Sequence, residues 1–99
     1  MGRLFLLWSR PPGLSLDDAH AWAQRQVWAV RQGALIESAE LLRLRAAGRG
    51  EPLWHDWVLV VRLTEVGRDA PIEDEPALRE LVAELRSLGM RPVALREAT

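Results

Sequence analysis

The sequence predicts one α+β domain: a four-stranded antiparallel sheet with two helices on one face, in the order strand–helix–strand–strand–helix–strand. Three observations predict it. Four apolar segments of strand length are each followed by Pro, Gly or charged residues. Two segments between them carry apolar residues at helical spacing, each with a start signal and a closing glycine. The first and third strand segments are apolar on both faces, whereas the second and fourth are not, which sorts them into central and edge strands.

The first strand covers residues 3–9, a compact apolar run ended by Pro11-Pro12-Gly13. Ser15 then reads as a helix N-cap, with Asp17 and Asp18 in the first turn, where carboxylates suit the helix dipole. The helix runs to about Gln32 and stops at Gly33; its apolar stripe is Leu16, Ala19, Ala23, Val27 and Val30. Trp28 falls on its polar side, either as a subunit contact or as a lone exposed aromatic. Residues 35–45 form the second strand, with neither alternating set uniformly apolar, and residues 46–53 form a Gly- and Pro-containing loop. Residues 54–65 form the third strand, around the β-branched run Val58-Leu59-Val60-Val61. An acidic loop over 67–75 leads to Pro76 at the first turn of the second helix. That helix carries Leu78, Leu81, Val82, Leu85 and Leu88 on one stripe and ends at Gly89. The last strand covers 90–96, and Pro92 removes a ladder donor, so it belongs at an edge.

This order is that of the ferredoxin-like split βαβ fold. Two helices hide only one face of such a sheet. Period-two alternation puts Leu4, Leu6 and Trp8, with His55, Trp57, Leu59 and Val61, under the helices. The opposite face carries Phe5 and Leu7 with Trp54, Val58 and Val60, and is also apolar. A monomer would expose that patch, so the expectation is a homodimer with sheets packed face to face. Arg62, Asp56 and Glu40 are placed on the same side, where inter-strand ion pairs would set the dimer register.

Composition narrows the chemistry. The 99 residues make one domain spanning 1–99. There is no Cys, Lys, Tyr or Asn, and all 13 cations are Arg. Thiolate nucleophiles, disulfides, thiolate metal sites, lysine Schiff bases and tyrosine acids are therefore excluded. A net charge of −1 with mixed signs and no basic stripe argues against nucleic acid as a partner. The apolar run at residues 4–8 is too short for a signal-peptide core. No stretch approaches the roughly 20 apolar residues of a membrane helix. A cytoplasmic protein with no membrane partner is expected.

The strand and helix start Leu4-Phe5-Leu6-Leu7-Trp8-Ser9-Arg10-Pro11-Pro12-Gly13-Leu14-Ser15 precedes a helix with Trp22. The chain closes on Leu85-Arg86-Ser87-Leu88-Gly89-Met90-Arg91-Pro92. With the element order, these stretches resemble the dimeric α/β-barrel superfamily, nearest its EthD-like and antibiotic-biosynthesis-monooxygenase-like branches. The resemblance implies a homodimer with a pocket between helices and sheet. Relatives include cofactor-free oxygenases, isomerases, cyclases and haem proteins. EthD-like members often carry His four residues after the helix Trp, where this chain has Gln26.

The topology gathers Trp8, His20, Trp22, His55, Trp57, Leu88 and Arg91 at one end of the sheet. One reading is an aromatic-walled pocket with Trp8, Trp22 and Trp57 as walls, His55 or His20 as general base, and Arg91 as an anchor for an anion. The other is that the tryptophans are core. The histidines are 35 residues apart with no ligand-type spacing, so no metal site and no cofactor is expected. Two functions follow: an oxygenase or isomerase acting without a cofactor on an aromatic or hydrophobic small molecule, or a non-catalytic ligand-binding or accessory dimer.

Overall fold

The computed structural model describes residues 2–50 and 54–98. Strand β1 (Arg3–Trp8) leads to helix α1 (Leu16–Val30), strands β2 (Ile36–Arg43) and β3 (Trp57–Leu63), helix α2 (Pro76–Ser87) and strand β4 (Val93–Arg96). The sheet order is β2-β3-β1-β4, antiparallel throughout. Central and edge strands are those expected. The strands are shorter than the predicted segments, because ladder pairing stops before those bounds. Position 51–53 of the predicted loop lies outside the described residues.

The β1–β3 register runs from Arg3 opposite Arg62 to Trp8 opposite Trp57. It puts Leu4, Leu6, Trp8, Trp57, Leu59 and Val61 into one buried core beneath the helices. On α1, Ala19, Ala23, Val27 and Val30 are buried; on α2, Leu78, Leu81 and Leu85. Small alanines on α1 belong to the same core as Trp8 and Trp57, so bulk from the sheet fills what the helix leaves open.

Strand β2 breaks simple alternation for a reason the structure supplies. Its register shifts between Ile36 and Ser38, the mark of a bulge. The extra residue lets Ile36 share the helix side with Ala39 and Leu41, although their spacing differs in parity.

Both helix starts are capped by side chains. Ser15 Oγ accepts from the Asp18 N–H at 3.1 Å. At α2 the cap is Glu75, which follows a turn of 3-10 helix (Ile72–Asp74) inside the predicted acidic loop. Glu75 is a buried carboxylate. It accepts from the Ala77 N–H at 3.1 Å and, across the molecule, from the Leu35 N–H at 2.8 Å. A burial of this kind is tolerated only when the charge is hydrogen-bonded. Gly33 makes room for it: a Cβ there would stand 2.6 Å from Glu75 Oε1. Gly89, at φ +84°, closes α2, and the Met90 N–H returns to the Leu85 carbonyl at 2.9 Å.

Replacing Glu75 by Ala should cost roughly 2–4 kcal/mol in urea unfolding, from a lost cap and an unpaired Leu35 N–H. Gly33→Ala should also destabilise, and less so in the Glu75→Ala background. Strictly additive costs would show that the carboxylate does not occupy the space beside Gly33.

Candidate functional site

The end of the sheet where β1 stops and β3 begins is held by short polar links. The Asp56 N–H donates to the Trp8 carbonyl at 2.9 Å, and the Asp56 carboxylate accepts from the Arg10 N–H at 2.7 Å. Ser9 Oγ donates to the Trp54 carbonyl at 2.8 Å. Trp8 and Trp57 lie side by side in register and are fully buried. Trp57 Nε1–H donates to His20 Nδ1 at 3.0 Å, with the two rings 18° from parallel. Since Nδ1 accepts here, neutral His20 carries its own proton on Nε2. Trp8 Nε1 and His55 Nδ1 are buried and meet no partner among the described residues.

The structure thus brings Trp8, Trp57 and His20 together as a packed group, and places half-buried Trp22 against the same core. His55 is half-buried just ahead of β3. Arg91 is exposed in the α2–β4 turn, on a surface groove shared with Arg86, Met90 and Pro92. Trp28 stands exposed on the polar side of α1.

Two clefts flank this packed centre. One, of about 300 Å³, runs between α1 and the β2 edge and is lined by His20, Gln24, Val27, Arg31, Glu40 and Leu41. Arg31 Nε–H donates to the Ala39 carbonyl at 3.0 Å, covering part of that edge. The other, of about 260 Å³, lies between α2 and β4. Leu6, Val82, Ala83 and Ala94 form its apolar floor, and Glu73, Arg79 and Arg86 stand around it. Sequence reasoning did not find this second cleft. Its only signal is the spacing of Arg79, Val82, Ala83 and Arg86, one helical stripe beside the core stripe.

On the sheet face away from the helices, the register aligns Phe5 and Leu7 with Val60 and Val58, and these with Glu40 and Leu42 on one side and Leu95 and Val93 on the other. Leu42, Val93 and Leu95 are exposed. Among the described residues of the single chain, no ion pair joins Arg62, Asp56 and Glu40. Arg62 stands opposite Arg3, Asp56 is spent on the Arg10 N–H, and Glu40 faces Val60. Arg3 instead pairs with Glu97, its Nε–H donating to Glu97 Oε2 at 2.8 Å. Hydrogen bonding from the Arg3 guanidinium lowers the Glu97 carboxyl to about 2.

No family model and no curated protein matches the chain. Among solved structures, a dimeric ferredoxin-like protein of unknown function from Thermobifida fusca YX superposes with a TM-score of 0.65. The match covers 98% of this chain and 89% of that one at 18% identity, and shows that the two share the ferredoxin-like fold. Among the described residues, no helix is long and apolar enough to cross a membrane.

His20→Ala should lower stability by about 1–3 kcal/mol by stranding the Trp57 N–H, and His20→Gln, which keeps an acceptor, should lose less. An alanine variant as stable as the parent in urea would mean the bond contributes nothing. Glu97 titrates lower folded than unfolded, so its stabilisation is full above about pH 4.5 and fades as pH falls toward 2. Carbon-detected NMR of its carboxyl should give a midpoint near 2, and one near 4.5 would show the Arg3 pair is not formed.

Proposed function

We propose that this protein is a homodimer of the α/β-barrel kind, with two sheets packed through their open faces, and that it serves as a binding or accessory module for a small hydrophobic or aromatic molecule held in a helix–sheet cleft. The open face is the observation that carries this reading. It presents Phe5, Leu7, Leu42, Val60, Val93 and Leu95 together, a contiguous apolar surface of the kind that marks an interface. The dimeric state of the structural neighbour supports it.

A binding role is favoured over the oxygenase or isomerase chemistry that the resemblance implies. A general base needs an open lone pair within reach of substrate. In His20 the Nδ1 lone pair already accepts the Trp57 N–H. In this reading His20 offers Nε2–H to the α1–β2 cleft and Arg91 meets an anionic group from the neighbouring groove, while Trp8, Trp57 and Trp22, which line neither cleft, form the rigid core behind them. His55 is the residue an enzymatic reading would use, since its Nδ1, although buried, meets no partner among the described residues. Loss of a detected turnover in His55→Ala, with turnover kept in His20→Ala, would select that second reading.

Sedimentation at micromolar concentration should return about twice the chain mass of 11.2 kDa. Leu7→Glu and Leu95→Glu should each yield folded monomer, the latter from an already exposed edge position. A parent protein that stays monomeric at tens of micromolar would refute the face-to-face dimer.

A further inference from the structure

We propose that the α2–β4 cleft is a seat for a small amphipathic acid, with its apolar body over Val82, Ala83 and Ala94 and its carboxylate at Arg86, beside Arg91. The proposal rests on the ligand-binding reading above, not on the dimer.

The cleft exists because α2 lays its core stripe, Leu78, Leu81 and Leu85, into the main core and leaves the neighbouring stripe beside β4. That second stripe reads Arg79, Val82, Ala83, Arg86, with cations at both ends and apolar side chains between. Arg79 and Arg86 are two helical turns apart, about 10 Å along the axis. Below them Leu6 and Ala94 close the floor, and Ala94 is exposed although it faces the helix side. A space of about 260 Å³ is small for a ligand site and suits a short chain or single ring.

The two cations are not equivalent. Arg79 lies near Glu73, donating weakly to its carbonyl at 3.5 Å, and the Glu73 carboxylate offsets the charge at that end. The Arg86 guanidinium makes no hydrogen bond or ion pair to any described residue, and it also borders the groove that holds Arg91. Positive charge is therefore unspent at the Arg86 end. An apolar floor with a free guanidinium at one end fits a molecule that is apolar along its length and anionic at one terminus. Guanidinium binds carboxylate in a two-pronged, charge-assisted manner, which fixes orientation.

The test is an NMR titration of the whole protein with hexanoate and, separately, with hexanol. Hexanoate should give saturable shifts at Val82, Ala83 and Ala94 and bind at least tenfold more tightly than hexanol. Arg86→Gln, at an exposed position, should weaken hexanoate about tenfold and leave hexanol unchanged, and Arg79→Gln should matter less. Ala94→Phe should abolish the shifts with the circular dichroism spectrum retained. Equal binding of hexanol and hexanoate, or a larger loss from Arg79→Gln, would overturn the anion assignment while leaving a ligand cleft standing. No saturable shift with either compound would overturn the cleft as a ligand seat altogether.

Discussion

Everything in this molecule hangs on the pairing of β1 with β3. Six residue pairs, from Arg3–Arg62 to Trp8–Trp57, align two strands that are apolar on both faces. Burying one large apolar side chain is worth on the order of 1.5–3 kcal/mol. The helices collect that gain on one face, where Leu6, Leu59, Val61 and Trp57 lose all contact with solvent. On the other face Phe5, Leu7 and Val60 are only half-covered and the edge strands are exposed. The same pairing that builds the core therefore leaves this second face apolar, and the proposed dimer would cover it with a second sheet.

The helices are placed by polar as well as apolar forces. Glu75 caps α2 and holds the turn before β2 through one carboxylate. Arg96 donates to the carbonyls of Arg68 and Ala70 at 2.6 and 2.7 Å, tying β4 to the approach of α2. With the start of α2 held by these links and its leucines over the core, a strip of its flank stands above a short, thinly covered β4. The cleft is the gap left over. It follows from where the helix is anchored, not from any residue that lines it.

The tryptophans and histidines show how one set of residues admits two readings until packing separates them. Trp8 and Trp57 have the surface and the N–H of a ligand wall. They also have the volume to fill the space over Ala19 and Ala23, and the core contains all four. His20 is joined to Trp57 by a hydrogen bond that orients both rings. Trp8 Nε1 and His55 Nδ1 remain buried without partners among the described residues, so polar capacity persists at this end of the sheet.

Element order, caps and the ranking of strands were legible in the sequence because they depend on local punctuation and periodicity. Ser15, Pro76 and Gly89 act within a few residues of themselves, and the two-faced apolar pattern of β1 and β3 is visible without knowing their neighbours. The gathering of Trp8, His20 and Trp57 at one end also followed from topology. What only the tertiary structure decided is everything that turns on long-range register and helix placement. The bulge at Ile36–Ser38, the reach of Glu75 to Leu35, the Arg3–Glu97 pair and the α2–β4 cleft each join residues distant in the chain or turn on a strand's pairing partner. Local periodicity carries no record of such meetings, since it states which side of an element a residue takes and not what stands across from it.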